Sequence, residues 1–114
     1  MSPNEYQQKC LEYALPTSLN SAYLVTGLCS EAGEVAGAYA KYLRDSNTND
    51  IEEHRQRSAG LDDQIKKEVG DVLWFCAVLS YWYGFRLESV MRHNIEKLED
   101  RKQRNVISGS GDDR

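Results

Sequence analysis

Residues 61–83 read LDDQIKKEVGDVLWFCAVLSYWY, and their apolar side chains recur with the period of an α-helix. One stripe consists of five apolar residues: Ile65, Val69, Val72, Cys76 and Leu79. The neighbouring stripe begins with two acids and continues as apolar residues, in the order Glu68, Asp71, Phe75, Val78 and Trp82. Acids that continue an apolar stripe are expected to point inward or into a cleft.

A second helical stripe runs through residues 18–43, and one of its core positions is an acid. Its members are Leu24, Leu28, Glu31, Val35, Ala38 and Tyr42. The acids of the two helices form i, i+3 pairs, Glu31 with Glu34 and Glu68 with Asp71. This spacing puts both members of a pair on one helix face, with Cβ atoms about 5–6 Å apart. Two such helices packed side by side would bring four carboxylates together.

Four clustered carboxylates repel one another unless a cation lies between them. Unit charges about 4 Å apart interact by about 4 kcal/mol at an effective dielectric of 20, so clustering raises the pKa values and weakens the fold. A divalent cation removes this conflict. The hard oxygen ligands, with no His or Cys at metal spacing nearby, favour Mg²⁺ over Zn²⁺, with Mn²⁺ as a possible substitute.

Three glycines lie beside these acids inside the predicted helices: Gly33, Gly37 and Gly70. Glycine in a helix costs about 0.5–1 kcal/mol relative to alanine. Its presence is typical of a position that another backbone or a ligand approaches closely.

The hydrophobic spacing is helical nearly throughout and predicts four helices, at about residues 3–14, 18–43, 61–83 and 87–104. We therefore expect one all-α domain at residues 1–104, built like a four-helix bundle. The polar stretch 45–60 is long for a loop and is predicted to be a lid or disordered, with a possible short helix at 51–57. Residues 105–114 are predicted to be a flexible tail.

Composition restricts the class of protein. The net charge of −4 argues against a nucleic-acid-binding face. Three cysteines without CxxC spacing, and a polar N-terminal segment, favour a cytoplasmic protein with reduced thiols. The longest apolar run, 72–79, is far shorter than the about 20 residues of a membrane span. Four helices cannot cover every side of this run, so we expect a homodimer or homotetramer.

Residues 27–35, GLCSEAGEV, and 67–74, KEVGDVLW, resemble the ExxE and ExxD motifs of the MazG-like, all-α nucleotide pyrophosphohydrolases. Residues 94–101, NIEKLEDR, resemble the Asn-x-x-Lys-Leu segment of that family, and Tyr6-Gln7 resembles the start of its first helix. The resemblance covers about residues 5–104. One departure is the gap of 33 residues between the second and third acids.

The resemblance implies a Mg²⁺-dependent enzyme that hydrolyses a (deoxy)nucleoside triphosphate to the monophosphate and pyrophosphate, with nucleotide-pool house-cleaning as one role. The implied metal ligands are Glu31, Glu34, Glu68 and Asp71. Water would attack the α-phosphorus, and Glu34 or Glu68 would accept its proton.

Other side chains are candidates for substrate binding. One face of the fourth helix carries Asn94, Lys97 and Arg101, which could contact phosphates. In the alternative interpretation, Lys97 and Arg101 only form ion pairs with neighbouring acids. Lys41 lies seven residues after the second acid and either lines the same cleft or is a solvated lysine. Trp74 could stack on a base, although aromatic residues at helical spacing usually pack in cores.

Three alternatives remain open. A ferritin-like di-iron site needs Glu-x-x-His on two helices, and neither His54 nor His93 follows a glutamate by three residues. A non-enzymatic helical dimerisation or adaptor module explains the apolar stripes but not the inward acids. The same site could also act on a signalling nucleotide. The tail has its own alternative, in which Gly/Ser backbone and Arg114 fold over a bound triphosphate.

Overall fold

The computed structural model describes residues 1–46 and 59–114, which contain helices and no strands. The helices are α1 (Pro3–Glu12), α2 (Ser21–Asp45), α3 (Ala59–Trp82) and α4 (Leu87–Gln103), with a 3-10 turn at Pro16–Ser18. The predicted all-α class is confirmed, and each helix lies within a few residues of its predicted range. The predicted lid, with its possible helix at 51–57, lies largely outside the described residues.

The ends of the helices follow from local sequence. Ser2 caps α1 through a capping box, in which Ser2 Oγ accepts from the Glu5 N–H at 3.2 Å and Glu5 Oε2 accepts from the Ser2 N–H at 2.6 Å. This reciprocal hydrogen bonding lowers the pKa of the Glu5 carboxyl. The C-terminal end of α3 forms a Schellman motif, with Gly84 at φ 79° and the Phe85 N–H donating to Ser80 O at 2.8 Å.

Helices α2 and α3 form an antiparallel pair. The start of α2 meets the end of α3, where Trp82 Nε1 donates to Ser21 Oγ at 2.9 Å. The two helices are in close contact at Gly27, where a Cβ atom would overlap the ring of Phe75. At each of the three glycines beside the acids, an added Cβ atom would meet nothing within 4 Å among the described residues. The sequence predicted that another group approaches these glycines closely. No group among the described residues does so.

The core lies where α1 crosses this helix pair. Its buried members come from all three helices: Cys10, Leu24, Phe75, Ala77 and Val78. Burial of these side chains fixes the face that each helix turns inward. None of the described helices combines the length and apolar character required to cross a bilayer.

Gln7 joins α1 to the α3–α4 connection. Its buried amide donates to Ala77 O and to Phe85 O, both at 3.0 Å, and its Oε1 accepts from the Leu87 N–H at 3.1 Å. One side chain therefore holds the end of α3 and the start of α4 against α1. Near the same place, the Asn4 amide donates to Glu88 Oε2 at 2.6 Å.

Replacing this buried amide should destabilise the fold. We expect Gln7→Leu to lower the free energy of unfolding by about 1–3 kcal/mol, because it leaves the Leu87 N–H and the Phe85 carbonyl without their partner. Urea denaturation measures the change. Gln8→Leu is the matched control, since Gln8 is exposed and should change stability by less than about 0.5 kcal/mol. Equal effects of the two substitutions would contradict this role for Gln7.

Candidate functional site

The register of α2 against α3 brings acids from the two helices together. Glu31 lies four residues after Gly27, and Asp71 lies four residues before Phe75, so both acids lie about one helical turn from the contact between Gly27 and Phe75. Carboxylate oxygens of Glu31, Glu68 and Asp71 lie within 4.8 Å of one another. The exposed Glu34 is not a member of this three-acid cluster.

The electrostatics of the cluster show repulsion at Glu31. Partial burial raises the pKa of the Glu31 carboxyl, and the charges of Glu34, Asp71 and Glu68 raise it further. Glu34 is therefore close enough to act on Glu31 electrostatically. Among the described residues, no Lys or Arg forms an ion pair with any of these acids.

The residues present fit a hard divalent cation. Ligand oxygens on opposite sides of a Mg²⁺ ion lie about 4.2 Å apart, since each Mg–O distance is about 2.1 Å. Three oxygens within 4.8 Å of one another can reach this geometry with small side-chain movements. All three donors are carboxylate oxygens, the ligand type of Mg²⁺ and Mn²⁺.

Comparison with known proteins agrees with this arrangement of acids. The model of the MazG nucleotide pyrophosphohydrolase domain matches residues 20–106, which include both acidic helices. The chain belongs to the MazG nucleotide pyrophosphohydrolase family. The resemblance based on the ExxE and ExxD motifs is thereby confirmed, and membership supports a nucleotide pyrophosphohydrolase activity in general terms.

Two relatives extend the comparison. The chain is 40% identical over 93 residues to the Gene 37 protein of Mycobacterium phage L5, which covers 82% of this chain and 75% of the phage protein. It is 36% identical over 74 residues to the uncharacterized protein YvdC of Bacillus subtilis (strain 168), which covers 65% of this chain and 68% of YvdC. No solved structure matches the chain.

A pocket of about 460 Å³ opens beside Glu31 in this MazG domain. Its walls combine aromatic rings with hydroxyl groups, from Tyr23, Thr26, Ser30 and Phe75. The rings of Tyr23 and Phe75 lie 5.7 Å apart. The sequence reasoning missed Thr26 and Ser30, although two hydroxyl residues four apart, just before Glu31, are a recognisable signal of a polar face.

Tyr6 of α1 is near enough to Asp71 for the charge of that acid to affect it. Burial, a hydrogen bond with Cys10 and the charge of Asp71 raise the pKa of the Tyr6 hydroxyl to about 12. Tyr6 also lines a mainly apolar groove of about 550 Å³ between α1, α3 and α4. Asn94 also lines this groove, so one of the predicted substrate-binding residues shares a cavity with Tyr6.

The other predicted substrate-binding residues lie elsewhere. Trp74 is half-buried, and its indole N–H donates to Cys10 O at 3.2 Å, so it packs α1 against α3. Lys41 is exposed on α2 and forms no ion pair within the described part of the chain. Lys97 and Arg101 both contact the carboxylate of Asp112, at 3.2 and 3.3 Å.

Proposed function

We propose that this MazG domain hydrolyses (deoxy)nucleoside triphosphates to the monophosphate and pyrophosphate, with Mg²⁺ as its cofactor and Mn²⁺ as a substitute. The observation that carries the proposal is the cluster of Glu31, Glu68 and Asp71 on facing helices. Carboxylates held this close, with no Lys or Arg of residues 1–46 and 59–114 paired to them, suit a divalent ion that also binds a phosphate chain.

The acids would divide the chemistry between them. Glu31, Glu68 and Asp71 would hold the ion, and Glu34 would join them if its side chain turned toward Glu31. A divalent ion bound there would neutralise phosphate charge and lower the pKa of a nearby water. Glu34 or Glu68 would accept the proton of the attacking water.

The substrate would extend from the acids along the neighbouring surfaces. The nucleoside would lie in the pocket beside Glu31, because the Tyr23 and Phe75 rings and the adjacent hydroxyls suit a base and a sugar. Lys97, Arg101 and Asn94 remain candidates for phosphate contacts. Lys41 and Trp74 remain weaker candidates, because the first is a solvated helix residue and the second contacts α1.

A panel of nucleoside triphosphates assayed in H₂¹⁸O tests this function. We expect monophosphate and pyrophosphate in equal amounts, with the label in the monophosphate, because water would attack the α-phosphorus. Orthophosphate as the product, or label in pyrophosphate, would contradict the proposed bond cleavage. A signalling nucleotide belongs in the panel, and failure to hydrolyse any nucleotide would favour the adaptor alternative.

We propose that the domain works as a homodimer or a homotetramer. Apolar side chains of α3 and α4 remain exposed: Val69, Leu73, Val90, Met91, Ile95 and Leu98. The α4 residues Met91, Ile95 and Leu98 follow i, i+4, i+7 spacing and form one stripe. The radius of gyration is 17.3 Å, against about 13 Å for a compact domain of this length. A second copy would cover this surface.

Light scattering tests the assembly. We expect a mass of at least two chains of 13.0 kDa each at micromolar concentration. Ile95→Asp should shift the protein towards the monomer, because it places a charge in the middle of the α4 apolar stripe. A wild-type mass of one chain across the whole accessible concentration range would show that the exposed stripe is not a self-association surface.

The remaining expectations about partners and location are also proposals. We propose a cytoplasmic location, in keeping with three free cysteines, Cys10, Cys29 and Cys76. The net charge of −4 disfavours a nucleic-acid partner and favours a nucleotide that is bound through a cation.

A further inference from the structure

The last ten residues fold back onto α4. The reversal uses left-handed backbone at Asn105, at φ 56°, and again at Gly109 and Gly111, at φ 119° and 87°. Asn tolerates this conformation better than most residues, and glycine adopts it without strain. The reversal brings Asp112 onto the face of α4 that carries Lys97 and Arg101.

Arg101 lies beneath the tail and is only 5% exposed. Its Nη2 donates to the carbonyls of Gly111 and Asp112, at 3.3 and 2.7 Å, and to Asp112 Oδ1 at 3.3 Å. Its Nε is buried and has no hydrogen-bond partner among the described residues. Buried polar atoms are nearly always paired, so the tail leaves part of this guanidinium fork unused.

The acid that pairs with Lys97 and Arg101 is Asp112, and it lies at the surface. The side chain of Asp112 is 84% exposed, and Lys97 Nζ reaches its Oδ1 at 3.2 Å. Hydrogen bonds from Lys97 and Arg101 lower the pKa of the Asp112 carboxyl, so it is an anion. Exposed ion pairs are weak, whereas a phosphate group offers an arginine fork two oxygens at once.

Arg114 closes the tail on itself. Its guanidinium donates to the carbonyls of Val106, Ile107 and Gly111, and its own carbonyl accepts from Arg104 at 2.8 Å. In this conformation the guanidinium of Arg114 forms hydrogen bonds with the tail backbone. The charged group that the tail presents to Lys97 and Arg101, beside two backbone carbonyls, is the Asp112 carboxylate, which has the same charge sign as a nucleotide's phosphates.

We propose that Lys97 and Arg101 form an anion site that the Asp112 carboxylate occupies in the resting chain, and that a phosphate chain displaces it. The tail is then an autoinhibitory internal ligand. This inference rests on the proposed function in taking the phosphate chain of a nucleotide as the displacing anion. This role predicts the opposite effect on phosphate binding from a tail that closes over the substrate. Loss of the Asp112 carboxylate should strengthen phosphate binding, whereas loss of a closing tail should weaken it.

Calorimetric titration with inorganic pyrophosphate, in a chelating buffer that keeps the carboxylate cluster free of metal, tests the displacement. We expect Asp112→Asn to bind pyrophosphate about two- to fivefold more tightly than wild type, the factor by which a weak ion pair blocks the site. Asp113→Asn is the matched control, because it removes the same charge from a residue with no ion pair in the described part of the chain. Adding Lys97→Gln to Asp112→Asn should reverse the gain.

An equal gain in Asp112→Asn and Asp113→Asn would overturn the inference, since net charge alone would then explain it. Weaker binding by Asp112→Asn, or a gain that survives Lys97→Gln, would also overturn it. Hydrolysis assays on the same preparations separate the two proposals. A gain in Asp112→Asn without any nucleotide hydrolysis supports the anion site while the proposed function fails. If wild type hydrolyses nucleotides but Asp112→Asn does not bind pyrophosphate more tightly, the inference about the tail fails and the proposed function stands.

Discussion

Glu68→Gln and Asp71→Asn should each lower the rate of nucleotide hydrolysis about a hundredfold or more, without lowering the thermal midpoint in metal-free buffer. Each substitution keeps the shape of the side chain but removes a charged oxygen ligand from the three-acid cluster. Because the acids repel one another, removing one charge should leave metal-free stability unchanged or raise it. Pyrophosphate release and calorimetric melting measure the two effects.

Asp63→Asn provides the control on the same helix. Asp63 is exposed near the start of α3 and lies outside the three-acid cluster, so neither activity nor melting should change. If Glu68→Gln or Asp71→Asn instead caused a large loss of folding, with activity kept in the protein that survived, the acids would be structural.

Gly27→Ala should destabilise the fold by about 1–3 kcal/mol and lower hydrolysis at least tenfold. The added methyl group would overlap the Phe75 ring, so α2 and α3 must separate or the ring must move. Glu31 and Asp71 lie one turn away on the two helices, so the same displacement would spread the acids that meet within 4.8 Å. Urea denaturation and steady-state kinetics measure the two losses.

Gly37→Ala is the matched control, since it makes the same chemical change in α2 where nothing described lies within 4 Å of the added atom. It should stabilise the helix by about 0.5–1 kcal/mol. Phe75→Leu should partly rescue Gly27→Ala, because a smaller side chain leaves room for the methyl group. Additive losses in the double variant would show that the two residues do not act on each other.

Much of the fold could be predicted from local sequence. The helical period locates the four helices, and short-range signals such as Ser2 and Gly84 locate their ends. The same period puts Glu31 and Glu68 on apolar stripes, which predicts that they face a neighbouring helix. Periodicity alone cannot give the register of one helix against another. That register is visible in long-range contacts such as the one between Gly27 and Phe75, which are far apart in the sequence.

The register also separates the four acids. The i, i+3 spacing and the ExxE motif grouped Glu34 with Glu31 as metal ligands, although only Glu31 continues the apolar stripe; in the structure Glu31, and not Glu34, joins the α3 acids within 4.8 Å. Whether Glu34 takes part in catalysis stays a prediction. Each residue turns about 100° around the helix axis, so residues three apart differ by about 60°, which is enough to turn one member of a pair towards solvent.

Long-range contacts explain what local reasoning could not predict on α4. The sequence suggested phosphate or a neighbouring acid as partner of Lys97 and Arg101, and the structure pairs both with Asp112. The nearby acid Asp100 instead pairs with Arg104 at 2.7 Å. This pairing depends on a chain reversal after α4, and left-handed backbone at a non-glycine residue such as Asn105 is hard to foresee.

The metal dependence of pyrophosphate release tests the central claim most directly. Protein freed of metal by chelation should release no pyrophosphate from any nucleoside triphosphate, because nothing would neutralise the phosphates beside Glu31, Glu68 and Asp71. Adding Mg²⁺ or Mn²⁺ in excess of the chelator should restore release, in equal amounts with the nucleoside monophosphate. Full activity in excess chelator, or a strict requirement for Zn²⁺, would contradict the account.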